Sequence, residues 1–323
     1  MEKILVTGGS GFIGSNLIPY LILNGFDILN LDKTNPSYVT DSSNFINCNI
    51  LNQDKLKKTI ENFNPNYIIH LAAETRLSHG NKSDFYFSNT KGVENLIMAT
   101  EGLLNLKKII FTSTKLVCEE IKDNLFDYNP STKYGLSKVK GEEIVMNSNL
   151  SFQAIIVRPS SHWGPWSLCD HIPYGKFFKL IKSGLYLHPS LANKKRDFGF
   201  VGNTCFQITS LIESSLDLNK KVFYLADYNS FYIKDWAVKI SLAYGKSGNI
   251  FTIPKWLLFS LAKSGDLLKN IGIKEPLFST FRLNNMSKET LVPIDNIKNI
   301  TGDLPYSLDE GIDITIKWLN ENS

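Results

Sequence analysis

Tyr134 and Lys138 are spaced four residues apart in a segment that predicts a helix, whose start is marked by Asn129, Pro130 and Ser131. This spacing places a phenol and an ammonium on one helix face. A phenol with a pKa of about 10 is a weak base at pH 7, but a neighbouring ammonium favours the phenolate and is expected to lower that pKa. The pair predicts acid/base chemistry on a carbinol, with an ordinary surface pair as the alternative.

Residues 7–14 have the glycine spacing of a phosphate-binding turn. Gly9, Gly11 and Gly14 match the spacing G-x-G-x-x-G. Gly8, Gly11 and Gly14 match the spacing G-x-x-G-x-x-G. Glycines let the backbone approach a pyrophosphate closely, so that amide N–H groups and a helix N-terminus face the negative charge. Because a predicted strand precedes the turn and a helix follows, it indicates a dinucleotide site; a helix-capping loop without ligand is the alternative.

Asp32 ends the second predicted strand, 18 positions after Gly14. A carboxylate there accepts hydrogen bonds from the adenosine ribose hydroxyls and repels a 2′-phosphate, which favours NAD over NADP. Lys33 would soften that repulsion. We therefore predict NAD as the cofactor.

A cluster of hydroxyl residues, Thr112, Ser113 and Thr114, follows the apolar run that ends at Phe111. Ligands of open α/β sheets bind beyond the carboxyl ends of the strands, so these hydroxyls are expected to face the reacting carbinol. Turn and N-cap hydrogen bonding is the alternative.

The elements that must position these residues alternate along the chain. Buried strands are predicted over 4–7, 27–31, 67–71, 109–112 and 154–157, and helices over 13–24, 54–62, 83–103 and 131–147. This order predicts an α/β fold with a doubly wound parallel (Rossmann) sheet. We expect a dinucleotide-binding domain over 1–165 and a smaller, interleaved α/β substrate lobe over 166–323, with some later elements returning to the first domain.

Composition restricts the function classes. The chain has 323 residues, of which 43% are hydrophobic and 20% charged, as in globular proteins. Its net charge of +4 is spread without a basic block, so we expect no nucleic-acid partner. The four cysteines lie far apart and lack ligand spacing, which predicts reduced thiols and no metal site.

We expect neither a secretory signal nor a membrane span, and hence a cytoplasmic protein, because no basic-then-apolar leader and no apolar run of about 20 residues is found. The segment 254–259 contains Trp and Lys. We interpret it as an amphipathic helix of the second lobe, with an interfacial membrane helix as the alternative.

Together these motifs resemble the extended short-chain dehydrogenase/reductase family, in its NAD-dependent epimerase/dehydratase branch that acts on nucleotide-activated sugars. The resemblance extends from Lys3 to about Trp318. Its further motifs are His70-Leu71-Ala72-Ala73, Asn89 with Gly92 and Asn95-Leu96, Arg158-Pro159 with Gly164-Pro165, and Arg196-Asp197-Phe198.

The resemblance implies a role for each matched residue. Thr114 would hydrogen-bond the reacting oxygen, Tyr134 would be the acid/base, and Lys138 would bind the nicotinamide ribose and tune the tyrosine. The implied cofactor-binding residues are Gly8, Gly11, Phe12, Ile13, Gly14, Asp32, Asn49, Ile50, Leu71, Ala72, Ala73, Asn89, Thr112 and Pro159, together with Tyr134 and Lys138. The implied substrate-binding residues are Glu74, Thr114, Ser161, Arg196 and Arg282.

Arginine is scarce in this chain, where Lys is the common base, so an Arg suggests a need for its two-pronged guanidinium. Arg196 is expected to pair with the diphosphate of the substrate. Arg282 is a second candidate, with a structural role as the alternative.

The chain departs from the family after Thr114. Dehydratases of this branch usually carry Asp and then Glu there, whereas this chain has Lys115 and Leu116. Without those carboxylates no acid or base for eliminating water is evident. Ser161 replaces the usual Asn of the R-x-x-N segment, which bears on the sugar pocket.

The resemblance therefore implies NAD-dependent epimerisation of a nucleotide-activated sugar through a transient ketone. A keto-sugar reductase or dehydrogenase of deoxysugar biosynthesis is the alternative within the family, and a non-catalytic dinucleotide-binding sensor is the alternative from another class. The expected partners are a nucleotide-sugar substrate and, as the candidate assembly, a second copy in a homodimer.

Overall fold

The structure is a computed structural model, and it describes residues 1–36, 44–76, 84–167, 174–270, 280, 283, 287 and 289–322. The strands, in chain order, are β1 (Lys3–Thr7), β2 (Asp27–Asp32), β3 (Phe45–Asn47), β4 (Tyr67–His70), β5 (Lys108–Thr112), β6 (Gln153–Pro159), β7 (Ser161–Trp163), β8 (His188–Pro189), β9 (Lys195–Arg196), β10 (Phe198–Phe200), β11 (Val222–Leu225), β12 (Phe231–Tyr232) and β13 (Thr252–Ile253).

The helices fill the intervals between these strands. They are α1 (Phe12–Leu23), α2 (Gln53–Phe63), α3 (Lys91–Ala99), α4 (Lys133–Asn147), α5 (Tyr174–Ser183), α6 (Val201–Glu213), α7 (Ile233–Ala243), α8 (Lys255–Asn270), α9 (Asp295–Thr301) and α10 (Leu308–Glu321). Two short 3-10 helices span Phe87–Asn89 and Lys115–Val117.

A seven-stranded parallel sheet forms the centre, in the order β11-β6-β5-β4-β1-β2-β3. Every neighbouring pair is parallel. The strand order reverses between β1 and β4, and a ligand crevice opens at such a switch point beyond the carboxyl ends of the strands. The glycine turn follows β1 and Leu71 follows β4, so both lie at this crevice.

Both faces of the sheet are buried. Successive side chains of a strand point to opposite faces, and in β1 Ile4 and Val6 belong to one core cluster while Leu5 belongs to the other. Side chains of α1 and α6 complete the first cluster, and those of α2 and α3 complete the second. This two-sided burial is why the strands appear in the sequence as continuous apolar runs.

The predicted α/β fold class, with its doubly wound parallel sheet, is confirmed. Each of the five predicted strands lies within two residues of its expected bounds. The sequence analysis missed β3, a three-residue edge strand. In the second half, β11 joins the central sheet beside β6, while the remaining strands form three two-stranded sheets. The division into domains at 165/166 stays a prediction.

The helix predicted over 83–103 is shorter than expected. Residue 83 lies outside the described residues, and α3 covers only Lys91–Ala99. Thr90 has φ of −124° and ψ of −74°, outside the helical range, which separates α3 from the 3-10 helix before it. Apolar periodicity alone does not reveal this break.

Within the described ranges no helix has both the length and the apolar character needed to cross a bilayer.

Two glycines with a left-handed backbone test how closely the glycine turn approaches β4. Gly8 has φ of +73°, and a Cβ added there would lie 2.5 Å from the amide nitrogen of Ala72. Gly25 has φ of +83°, with nothing within 4 Å of its added Cβ. We expect Gly25→Ala to lower the free energy of unfolding by about 1–2 kcal/mol through backbone strain. Gly8→Ala should lower the free energy of unfolding by about 1–3 kcal/mol more than Gly25→Ala does, because its Cβ clashes with the backbone of Ala72.

Urea unfolding of both variants measures this difference. Equal losses would mean that the backbone at Ala72 moves aside and that the close approach is not required.

Candidate active site

A cavity of about 640 Å³ lies beyond the carboxyl ends of the central strands. Its wall is formed by the residues that follow β1, β2, β4, β5 and β6, together with the start of α4. The sequence-predicted residues that line it are Gly8, Gly11, Phe12, Ile13, Gly14, Asp32, Asn49, Ile50, Leu71, Ala72, Ala73, Glu74, Thr112, Thr114, Tyr134, Lys138, Pro159 and Ser161. The structure thus brings most of the predicted site to one cavity.

The glycine turn presents a helix N-terminus to this cavity. Gly11 is the N-cap of α1 and supplies no side chain to its first turn, which also has no acidic residue. The N–H groups of a first helical turn have no acceptor within the helix, and here they belong to Phe12, Ile13 and Gly14, which line the cavity. A Cβ at Gly14 would lie 2.4 Å from Cα of Gly9. This uncapped end fits a pyrophosphate.

The carboxylate of Asp32 is held in the cavity wall by two backbone amides. Ser10 N donates to Oδ2 at 3.0 Å, and Thr34 N donates to Oδ1 at 2.9 Å. Both donors also line the cavity. The sequence analysis did not assign them a role, although Ser10 stands inside the glycine turn. A carboxylate fixed in this way fits the two hydroxyls of a ribose.

Three hydroxyl groups in the cavity wall point to a ligand. Thr112 Oγ1, Ser113 Oγ and Ser160 Oγ are buried and make no hydrogen bond within the part of the chain that the structure describes. A buried hydroxyl without a partner is costly, so such groups usually find one in a bound molecule or water. Ser160 was missed in the sequence; its position directly after β6 was the available signal.

Thr114, Tyr134 and Lys138 meet where α4 approaches the segment after β5. Thr132 caps α4 by accepting from Gly135 N at 2.9 Å. A Cβ at Gly135 would lie 2.4 Å from the carbonyl oxygen of Leu116, so only glycine allows this approach. The hydroxyl of Thr114 accepts from Leu116 N at 3.3 Å and acts on the phenol of Tyr134 by lowering its pKa.

Burial dominates the protonation of these groups. It raises the pKa of Tyr134 to about 12, although the hydrogen bond with Thr114 acts in the opposite direction. Burial also lowers the pKa of Lys138 to about 8, and the carboxylate of Glu142 opposes that shift. The expected lowering of the Tyr134 pKa is not found in this structure, because removing the phenol from water raises that pKa.

His70 lies beneath the site rather than in it. Its Nδ1 is 2.7 Å from Thr7 Oγ1, and its ring meets that of Phe111 edge to face. Burial, helped by the charge of Lys138, lowers the pKa of His70 to about 3, so the imidazole is neutral.

Glu142 of α4 and Arg158 of β6 form a buried ion pair. Arg158 Nε and Nη2 donate to Glu142 Oε1 and Oε2 at 2.9 Å and 2.6 Å. Tyr128 donates its hydroxyl to the same carboxylate at 2.8 Å. Glu142 lies one helical turn after Lys138, and Arg158 precedes Pro159 of the cavity wall. The pair therefore joins α4 to β6 at the level of the site.

A second ion pair borders the cavity. Arg76 donates to both carboxylate oxygens of Glu74, at 2.8 Å and 2.7 Å, and its guanidinium lies 5.2 Å from the centre of the Phe85 ring. Burial raises the pKa of Glu74, but the hydrogen bonds from Arg76 outweigh it and the net pKa is lowered. Tyr86 donates to the carbonyl of Arg76 and lies 6.3 Å, ring to ring, from Tyr134. The sequence analysis gave Arg76 no role, although the scarcity of Arg in this chain was a signal that its guanidinium has a specific partner.

Asn89 does not line the cavity, contrary to its assignment to the cofactor. It is fully buried behind the wall, where its Oδ1 accepts from Glu74 N at 2.8 Å. Its Nδ2 donates to Glu74 O and to Ser137 Oγ, both at 2.9 Å. The amide therefore holds the backbone of Glu74 against α4.

Arg196 also lies outside the cavity wall. It is half-buried in β9 and stands near Tyr174, which does line the cavity. Burial lowers the pKa of Arg196, and the phenol of Tyr174 opposes the shift. Its pairing with a diphosphate stays a prediction, and Arg282 lies outside the described residues.

The pair Glu142 and Arg158 has two measurable consequences. The pKa of Lys138 is lowered from 10.5 to about 8, so its ammonium is present below about pH 8 and lost above. Glu142→Gln removes the charge that raises this pKa, so NMR titration of lysine Cε signals should place it lower still. The variant also leaves Arg158 buried without its counter-charge, which should cost about 3–5 kcal/mol of unfolding free energy.

The matched control is Asp309→Asn, which breaks the exposed pair between Asp309 and Lys239. It should cost at most about 1 kcal/mol and leave the titration of Lys138 unchanged. An unaltered Lys138 pKa in Glu142→Gln would rule out the electrostatic link.

The curated proteins that are similar to this chain include two enzymes of nucleotide-sugar metabolism. The probable dTDP-glucose 4,6-dehydratase of Sinorhizobium fredii (strain NBRC 101917 / NGR234) is 27% identical over 190 residues, which cover 51% of this chain and 54% of that protein. GDP-6-deoxy-D-talose 4-dehydrogenase of Aggregatibacter actinomycetemcomitans is 31% identical over 234 residues, which cover 67% of this chain and 71% of that protein. The chain thus spans about half the length of the first relative.

A solved structure shares the whole fold. UDP-glucuronic acid 4-epimerase from Bacillus cereus, in complex with NAD, has a TM-score of 0.75 and 22% identity, and the superposition covers 99% of each chain. Residues 4–225 match the family model described as the NAD dependent epimerase/dehydratase family. The resemblance stated from the motifs is confirmed, and at family level so is the expected cofactor. This chain belongs to the NAD-dependent epimerase/dehydratase family.

Proposed function

We propose that the chain catalyses the NAD-dependent epimerisation of a nucleoside-diphosphate sugar at carbon 4, through a transient ketone. The observation that carries the proposal is that one cavity is lined both by the glycine turn with Asp32 and by Thr114, Tyr134 and Lys138. Position 4 of a sugar stands in the names of the two relatives and of the superposed structure. The sugars in those names are carried by three different nucleoside diphosphates.

The residues of the cavity fit NAD. The first turn of α1 would receive the pyrophosphate, Asp32 would accept the adenosine ribose hydroxyls, and the partnerless hydroxyls of Thr112 and Ser113 would gain hydrogen bonds. When bound, NAD supplies a hydride acceptor that can return the hydride to the same carbon. The fixed carboxylate of Asp32 would repel the 2′-phosphate of NADP.

Tyr134 Oη is the atom that holds the transferred proton. Carbon 4 loses a hydride from its C–H bond and its hydroxyl loses a proton, which gives the ketone; both then return, the hydride on the opposite face, so no net oxidation occurs. Burial keeps the phenol protonated at neutral pH, the state that can donate to the ketone oxygen. Taking the proton from the sugar hydroxyl needs the phenolate form of Tyr134, which a cation in the cavity such as Lys138 favours. Thr114, whose hydroxyl also lines the cavity and acts to lower the pKa of the phenol, would hydrogen-bond the reacting oxygen beside it.

Elimination of water is poorly supported. In the described part of the chain, the carboxylates that line the cavity are those of Asp32 and Glu74. Asp32 accepts two backbone N–H groups, and Glu74 is bound by Arg76 with its pKa lowered, so it stays ionised. Neither is a proton donor for a departing hydroxyl, which argues against dehydratase activity.

A 4-dehydrogenase or ketoreductase is the second candidate. The GDP-6-deoxy-D-talose 4-dehydrogenase relative, 31% identical to the chain, favours it. The same proton chemistry serves both reactions, and they differ in whether the cofactor leaves after each turnover. Asp32 favours NAD, whereas biosynthetic reductions usually draw on NADPH, so the epimerase remains preferred. The assembled set of Thr114, Tyr134 and Lys138 makes a non-catalytic sensor the weakest reading.

A sugar deuterated at carbon 4 separates the two candidates. We expect the purified chain, given NAD and no reductant, to convert a nucleoside-diphosphate sugar to its diastereomer with the deuterium retained, as read by NMR. No lasting rise in NADH absorbance should accompany it. Stoichiometric formation or consumption of reduced cofactor would establish the dehydrogenase instead.

Tyr134→Phe is the matched variant for this assay. Its turnover should fall by at least about 100-fold with NAD affinity nearly unchanged, because only the proton carrier is removed. Tyr232→Phe, which removes a hydroxyl from an exposed tyrosine in β12, should retain full turnover. Comparable activity of the two variants would remove Tyr134 from the mechanism.

Asp32→Ala tests cofactor choice. Removing the carboxylate takes away the acceptor for the ribose hydroxyls and the repulsion of a 2′-phosphate, so the ratio of NAD to NADP affinity measured by calorimetry should fall. Tyr134→Phe serves as the control that keeps the ratio. Tighter binding of NADP than of NAD by the unaltered chain would contradict the assignment.

A further inference from the structure

The outer face of α8 exposes large apolar side chains beside Lys263 and Ser260. Leu258, Ala262 and Gly265 form a single buried stripe at spacings of four and three residues. At about 100° per residue, Trp256 and Leu267 lie on the opposite side of the helix, where they are 70% and 67% exposed. A helix packed on a protein surface in water usually carries polar residues there.

This exposed surface continues beyond the helix. His188 N donates to Phe251 O at 2.8 Å, so pairing of β8 with β13 sets Phe251 beside Leu187. Ile253 of β13 packs in one cluster with Leu258 and Ala262 of α8. The exposed apolar side chains of this region, which we call the apolar patch, are Leu185, Leu187, Phe251, Trp256, Phe259 and Leu267. Single exposed apolar residues are common, but six large ones exposed on neighbouring elements favour an interaction surface.

The patch is built from the most basic part of the chain. Residues 174–196 and 236–265 contain ten Lys and Arg residues and no Asp or Glu, although Asp197, Asp235 and Asp266 directly adjoin them, whereas the other 270 residues contain 25 basic and 31 acidic ones. Among the ten, Lys239 pairs with Asp309. Asp266, just past the second segment, accepts hydrogen bonds from Thr280. The net charge of +4 therefore conceals a basic surface on an otherwise acidic protein.

Several of these lysines stand at the edge of the patch. Lys182 is not among them, because its Nζ donates to Asn320 Oδ1 at 2.8 Å and lies 5.7 Å from the centre of the Tyr244 ring. A Cβ at Gly184 would lie 3.9 Å from Lys246 Nζ, next to Leu185. On α8, Lys263 occupies the exposed side between Trp256 and Leu267. Cations and apolar side chains thus share one face.

We propose that this face binds the surface of an anionic lipid bilayer. Trp, Phe and Leu side chains enter the headgroup boundary while lysine stems lie along it with their charges at the phosphates, and the observed combination fits that environment. A second copy of this chain is a poor occupant, because pairing the patch with itself would bring two basic surfaces together. The attachment is peripheral and independent of the proposed reaction.

Co-sedimentation of the full chain with vesicles tests this proposal. We expect binding to vesicles of phosphatidylcholine with phosphatidylglycerol at about 50 mM salt, at least about tenfold tighter than to phosphatidylcholine alone, and loss of binding near 500 mM. The fluorescence difference between the unaltered chain and Trp256→Phe should move to shorter wavelength on binding. Failure to bind the anionic vesicles at low salt would overturn the proposal.

The variants separate apolar from electrostatic contributions. Trp256→Ser combined with Phe259→Ser should weaken vesicle binding at least about tenfold. Lys255→Gln and Lys263→Gln should each weaken it about fivefold. Leu23→Ser with Leu104→Ser, at positions 86% and 98% exposed outside the patch, is the matched control and should bind as the unaltered chain does.

Thermal unfolding and NAD affinity establish that each variant is folded, and neither readout depends on the patch. Equal binding by the Trp256 and Phe259 variant and the control would refute the proposal. So would a dimer in sedimentation equilibrium that this variant converts to monomer, because the patch would then be covered by a second copy.

Discussion

The buried ion pair between Glu142 and Arg158 ties α4 to the central sheet. Within a protein interior, neither charge can leave the other without losing several kcal/mol of solvation, so the pair permits little sliding of α4 along β6. Tyr134 and Lys138 stand on that helix, and Pro159 and Ser160 continue from that strand. The salt bridge therefore helps to position the cavity wall formed by α4 and β6, together with the close approach of Gly135 to Leu116 and the hydrogen bond from Asn89 to Ser137.

The cavity wall formed by the glycine turn after β1 and the segment after β4 depends on close backbone packing rather than on a charge. Gly8 and Gly14 are packed so closely against Ala72 and Gly9 that no side chain fits at either position. The same packing brings the turn after β1 and the segment after β4 together at the point where the strand order reverses. Asp32, tied to Ser10 N, is positioned by that turn and not by its own strand alone. Backbone approach thus decides where a dinucleotide could lie.

The sheet and its cofactor turn could be predicted because buried parallel strands are continuous apolar runs and because glycine spacing reports a backbone shape directly. The helix break at Thr90 could not be predicted, because it consists of two non-helical backbone angles within a segment of apolar periodicity. Nor could the position of Asn89, whose amide serves the backbone of Glu74 from behind the wall. The pKa of Tyr134 was misjudged because spacing on a helix reveals a neighbouring charge but not the loss of water around the phenol. Arg196 was selected for its side-chain chemistry, and the sequence carried no information on its distance from the cavity.

Because β11 pairs with β6 in the central sheet, β6 must wait for its neighbour during synthesis of the chain. Synthesis delivers β6 about 60 residues before β11, and chains begin to fold from the N-terminus as they emerge. During that interval Ile156 N lacks the carbonyl of Lys221, and Ser160 N lacks that of Leu225, so β6 is an open sheet edge with apolar faces. Open edges of this kind recruit strands from other chains. A nascent chain halted before residue 222 therefore exposes the edge of β6, which β11 covers once elongation continues.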